Sequence, residues 1–73
     1  MCIATMKTMT SALRGVRLLR SAGIEGEVVS LDRTLTKNGC AYGISFPCYA
    51  VREVKAVLYG AQVSYGQIIG EGS

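Results

Sequence analysis

The chain has 73 residues, 49% of them hydrophobic, and a formal charge of +3 at neutral pH. That length predicts one domain with enough apolar residue for a compact core and too little chain for a large catalytic cleft. The mild positive balance permits an acidic partner without demanding nucleic acid, and the absence of His and Trp excludes imidazole acid–base chemistry and every His-containing metal site.

Met1 to Met6 is short and apolar and predicts a first strand. Cys2 lies in it and reads as a small core hydrophobe. Lys7 to Ser11 offers several helix N-caps, Thr8, Thr10 and Ser11 among them. A helix is expected from Thr10 to Ala22, because Ala12, Val16, Leu19 and Gly23 follow helical spacing, with Leu13 and Leu18 beside them. Arg14, Arg17 and Arg20 recur every third residue. They form either a solvated outer face or a docking surface for an acidic partner. Gly23 is a natural helix stop.

Glu25 to Leu31 predicts the second strand. Asp32 to Gly39 is a polar connection in which Asn38-Gly39 is the strongest turn signal of the chain. Ala41 to Phe46 predicts the third strand, with Tyr42, Ile44 and Phe46 on one face and the small residues Ala41, Gly43 and Ser45 on the other. Pro47 suits the first turn of a second helix running to Gly60, with Val51, Val54, Val57, Leu58 and Ala61 inward. Val63 to Ile69 predicts the fourth strand, alternating Val63, Tyr65, Gln67 and Ile69 against Ser64, Gly66 and Ile68. One domain thus spans 1–70, and 71–73 is a tail expected to fray.

The order β-α-β-β-α-β predicts an α+β, ferredoxin-like two-layer sandwich. Its sheet has the antiparallel strand order 4-1-3-2, with two helices on one face. Apolar groups on both sides of the fourth strand, and a sheet face opposite the helices, predict a homodimer. Three cysteines, an odd count, argue against a disulfide framework. No segment resembles a signal peptide and no apolar run approaches the roughly 18 residues that cross a bilayer. A reduced, cytoplasmic protein without membrane contact is the expectation.

In this topology the third strand begins where the first strand ends and the first helix begins. Cys40, at the head of the third strand, is therefore expected near Thr8, Thr10 and Ser11. Free backbone N–H groups and the positive end of the helix dipole would favour its thiolate, with Lys7 and Lys37 adding to the effect. Gly39, Ala41 and Gly43 would leave the sulfur approachable. Cys48, in the first turn of the second helix, is separated from Cys40 by the third strand, too far for a bond. Cys2 and Cys48 share the opposite edge, so their pairing is geometrically open, but the expectation is that both stay unpaired and that Cys40 is the most reactive thiol.

The segments Ser11-Ala12-Leu13-Arg14, Ala22-Gly23-Ile24, Val28-Val29-Ser30-Leu31-Asp32 and Leu35-Thr36-Lys37-Asn38-Gly39-Cys40-Ala41-Tyr42-Gly43-Ile44 resemble the small bacterial family of Se/S carrier protein-like domains over nearly the whole chain. Members commonly carry Cys-Gly after a polar turn; here Ala41-Tyr42 stand between Cys40 and Gly43. The resemblance implies a carrier rather than a turnover enzyme. Cys40 would hold sulfur or selenium as a persulfide or perselenide, received from a cysteine desulfurase or similar donor protein, with no cofactor and no metal. Arg14, Arg17, Arg20 and Lys37 would dock the partner.

The alternative is a small non-catalytic subunit or regulatory domain in which Cys40 is incidental. RNA-recognition domains share the topology, but here Asn38 stands where they carry a basic residue and Cys40 where they carry an aromatic. Copper chaperones share it too, but need a close cysteine pair, and no Cys-x-x-Cys occurs.

Overall fold

A computed structural model describes residues 1–31 and 41–70. The elements are β1 (Cys2–Met6), α1 (Met9–Ser21), β2 (Glu27–Ser30), β3 (Tyr42–Phe46), a single 3-10 turn (Cys48–Ala50) leading into α2 (Val51–Gly60), and β4 (Ile68–Gly70). They form one four-stranded sheet in the order β2-β3-β1-β4, with every neighbouring pair antiparallel. This is the expected ferredoxin-like sandwich. None of these helices is long and apolar enough to cross a membrane.

Strand periodicity sets the two faces of the sheet. Cys2, Ala4 and Met6 of β1 stand opposite Phe46, Ile44 and Tyr42 of β3 and point to the helices. Against them lie Ala12, Val16 and Leu19 of α1 and Val54 and Leu58 of α2, in one continuous core. Phe46, Met6, Leu19, Ile44, Leu58 and Val54 are its largest fully buried side chains. Gly15 lets α1 approach this layer closely: a Cβ there would collide with the δ-methyl of Ile44 and meet Leu58 and Met6. Glycine is worse than alanine inside a helix by roughly 1 kcal/mol, and here it removes a clash with Ile44. Leu13, by contrast, is exposed, on the outward face of α1.

Both helices end in the same hydrogen-bonded cap. After α1, Ile24 N–H donates to the Leu19 carbonyl at 2.8 Å and Gly23 N–H to the Arg20 carbonyl at 3.0 Å, with Gly23 at φ 79°. After α2, Val63 N–H donates to the Leu58 carbonyl at 2.9 Å and Gln62 N–H to the Tyr59 carbonyl at 3.1 Å. Gly23 is thus the helix stop that the sequence predicts. α2 likewise ends at Gly60, as predicted, but its left-handed position falls on Gln62, at φ 58°. A side chain is disfavoured there by Cβ–carbonyl crowding. Gln62→Gly is therefore expected to raise stability by about 0.5–1 kcal/mol, the relief of crowding being partly offset by glycine's extra entropy in the unfolded chain. Chemical denaturation checks this, and an unchanged or lower midpoint would contradict it.

The fourth strand is shorter than its alternating pattern suggests. β4 pairs with β1 only over Ile68 to Gly70, opposite Ala4, Ile3 and Cys2. Below that point Thr5 takes over. Its hydroxyl accepts the Gln67 N–H at 2.9 Å, while its backbone binds the Gln67 carbonyl at 2.9 Å and the Gly66 N–H at 2.8 Å. A side chain competing for a backbone donor disrupts the regular ladder. Val63 is buried in the core through the α2 cap rather than through a strand.

The expectations of a reduced chain and of unpaired Cys2 and Cys48 are also corrected. Cys2 and Cys48 are joined by a disulfide, with their Cα atoms 5.0 Å apart. The register explains it: Cys2 stands opposite Phe46, and Pro47, with φ −65° and ψ 133°, carries the chain on to Cys48 beside the same strand end.

Candidate functional site

The edge where β3 begins is built from three pieces. β1 ends at Met6, opposite Tyr42. The chain leaves through Lys7 into Thr8, which caps α1: its hydroxyl accepts the Ser11 N–H and donates to the Ser11 hydroxyl, each at 3.1 Å. On the other side, Leu31 N–H donates to the Ala41 carbonyl at 2.8 Å, extending the β2–β3 pairing past Ser30 and Tyr42. Ala41 is thereby fixed at the same sheet edge as the start of α1.

Gly43 packs tightly on the sheet face away from the helices. A Cβ at this position would lie 2.7 Å from Ile3 Cγ2 and 3.1 Å from Leu31 Cδ1. The small residue is needed because Ile3 and Leu31 close over it. Tyr42, Ile44 and Phe46 face the helices, so the small face read in the sequence is packed from β1 and from the end of β2.

Next to the start of α1, Lys7, Thr8 and Ser11 line a cleft of about 440 Å³ with Ser64, Tyr65 and Gly66. An exposed ammonium, two hydroxyls and the amino end of a helix give this edge a positive, hydrogen-bonding character. Thr10 points elsewhere. It lines a hollow on the outer side of α1 with Leu13, Arg14 and Arg17.

All three arginines of α1 are exposed, but they do not act as one stripe. Residues three apart fall about 60° short of a full helical turn, so the row drifts around the helix. Arg14 and Arg17 stay together beside exposed Leu13. Arg20 instead reaches the Gly26 carbonyl, at 3.5 Å, and lines a separate cleft with Gly23 to Glu27.

Of the residues singled out in the sequence, Cys40, Gly39 and Lys37 lie outside the described residues. Thr8, Ser11, Ala41 and Lys7 are brought to one edge; Thr10, Arg14 and Arg17 lie on the outer face of α1, and Arg20 near its end. The Cys2–Cys48 bond is the feature that the sequence reading leaves geometrically open but expects not to form. Its signal was present: both cysteines map to one strand edge as soon as β1 and β3 are paired.

The described residues thus form a two-layer domain with a positive edge at the start of α1. The chain belongs to the family described as "Putative Se/S carrier protein-like", which matches residues 1–69. No curated protein and no solved structure matches it.

Proposed function

We propose that this chain is a sulfur or selenium carrier that holds a persulfide or perselenide on Cys40 and passes it between partner proteins in the cytoplasm. Family membership supports the class of function. The observation that carries the assignment to Cys40 is the Cys2–Cys48 bond: while closed, it occupies two of the three cysteines and leaves Cys40 as the remaining thiol.

The transfer is thiolate chemistry. The Cys40 thiolate attacks the terminal sulfur of a donor persulfide; a new S–S bond forms and the donor cysteine leaves as a thiolate. An acceptor thiolate then attacks the terminal sulfur now on Cys40, and Cys40 leaves as the thiolate. A cysteine desulfurase is the donor class that fits. The residue after Cys40, Ala41, sits at the edge that also presents Lys7 and the start of α1, and a positive edge favours thiolate over thiol. Arg14 and Arg17, exposed around Leu13, suit an acidic docking partner.

The protein is incubated with a cysteine desulfurase and cysteine, without other reductant, and its peptides are mapped by mass under non-reducing conditions. One added sulfur atom on Cys40, lost in Cys40→Ser, is expected. Sub-stoichiometric alkylation of the untreated protein is expected to label Cys40 below the ordinary thiol pKa of about 8.5. Absence of the added sulfur, together with labelling of Cys40 only after unfolding, would leave the non-catalytic subunit as the better reading.

A further inference from the structure

We propose that Cys2 and Cys48 form a second sulfur site, a reversible disulfide that exchanges with external thiols through the sulfur of Cys48. The proposal does not depend on the role given to Cys40.

The backbone holds the pair together independently of the bond. Cys2 is laddered on both sides, to Phe46 of β3 and to Gly70 of β4. Cys48 follows Phe46 by two residues through a proline fixed at φ −65°. A Cα separation of 5.0 Å is thus set by the sheet register, inside the range of about 4.4–6.8 Å that a disulfide requires. When the bond opens, the two thiols stay side by side, and re-forming it is an intramolecular step favoured by that placement.

The two sulfurs differ in access. Cys48 is exposed at the start of the 3-10 turn, whereas Cys2 is only 8% exposed and belongs to the core layer. Access decides which sulfur of a disulfide is attacked, so the incoming thiolate meets Cys48. Nor is the bond a staple that replaces a core. Seven side chains, from Phe46 to Thr5, are fully buried without it. A disulfide in a domain that already has a core, and open to solvent on one side, has the features of an exchanging bond rather than a scaffold bond.

The reaction balances as ordinary exchange. A thiolate RS⁻ attacks Cys48 Sγ; the R–S–Cys48 bond forms, the Cys2–Cys48 bond breaks, and Cys2 leaves as a thiolate that takes up a proton. A second RS⁻ attacks the R sulfur and releases Cys48. Two thiols are oxidised to RSSR and the protein disulfide is reduced to a dithiol. The reductant class is a small-molecule thiol or a protein dithiol.

This site lies at the far end of β3 from the Ala41 edge. The step from Ala41 to Phe46, at about 3.3 Å per residue, is roughly 17 Å. The oxidised state ties the start of β1 to the 3-10 turn before α2, and the reduced state unties them without touching that edge.

The test equilibrates the native protein with graded ratios of reduced and oxidised glutathione, quenches with acid, alkylates and maps each cysteine by mass. Cys2 and Cys48 are expected to change state together as one couple, with the far-ultraviolet circular dichroism spectrum retained throughout. Cys2→Ser is expected to take up glutathione on Cys48 about tenfold faster than Cys48→Ser takes it up on Cys2. Three results would overturn the proposal: both cysteines alkylated in the protein kept with oxidised glutathione, a bond that opens only in urea, or faster uptake at Cys2. If a single variant fails to fold, the titration of the unsubstituted chain decides alone. Repeating it in Cys40→Ser keeps events at Cys40 apart, so a carrier that fails to load sulfur leaves this outcome unaffected.

Discussion

Reduction of the Cys2–Cys48 bond is expected to lower the melting temperature of the domain by roughly 10–30 °C while leaving it folded at room temperature. The bond closes a loop with a sequence separation of 46 residues. Confining a loop of that size in the unfolded chain is worth about 4 kcal/mol in the chain-entropy account, and bonds of this kind deliver about 2–4 kcal/mol in practice. A domain of this length has a total stability of about 4–11 kcal/mol, so the loss is large but survivable. The measurement is a thermal melt of the oxidised and the fully reduced protein, with the state of Cys2 and Cys48 verified by alkylation. Coincident melts would mean that the bond contributes nothing to the folded state's advantage. Cys48→Ser should match the reduced protein, because the substitution removes the same constraint from an exposed position.

Phe46→Ala is expected to cost about 3–5 kcal/mol, the range for deleting a large buried aromatic, and to bring the domain close to unfolding. Phe46 is fully buried and heads the fully buried side chains in size. It lies at the end of β3 directly opposite Cys2, in the layer that α1 and α2 close. Its loss leaves a cavity under elements whose backbones are fixed by the ladder, so little collapse can offset it. Urea denaturation reads the effect as a shift in midpoint with little change in slope. Phe46→Leu, which keeps most of the apolar volume, should recover the larger part of the loss. A decrease below about 1 kcal/mol for Phe46→Ala would show that the site repacks freely and that the layer is not close-packed.

The legible parts of the fold are those where one local signal is uncontested. Tyr42, Ile44 and Phe46 alternate strictly, and β3 has the register that this alternation demands. Ala12, Val16 and Leu19 keep helical spacing and all are buried, and Gly23 is the only glycine of the described residues at positive φ. Legibility fails where two signals compete. Val63 to Ile69 alternates like a strand, but its backbone donors have another taker in the Thr5 hydroxyl, which no pattern within that segment can reveal. Gly60 ends α2 as expected, yet the left-handed position falls two residues later, where a glutamine bears it because Val63 must be turned into the core. The disulfide, geometrically open in the sequence, is argued against there for a third reason. Counting cysteines is a statement about the whole chain, whereas bonding is decided by the separation of two particular Cα atoms. The site suffers similarly: Thr8, Ser11 and Ala41 are placed by topology, which the sequence supplies, while the arginine row is parted by helical drift that a three-residue spacing conceals.

The interception of Gln67 by Thr5 also bears on how the protein behaves at high concentration. A strand at the margin of a sheet has backbone donors and acceptors pointing outward, a template on which another chain can add. Among the described residues, β4 presents such a margin over three, one of them glycine. Cross-strand stacking of the kind that grows into fibrils draws on segments of about six residues. By turning the backbone of residues 66 and 67 inward toward its own carbonyl and hydroxyl, Thr5 withholds the rest of the margin from neighbours. A single hydroxyl near the end of β1 thus keeps the described backbone at 66 and 67 from pairing with another copy.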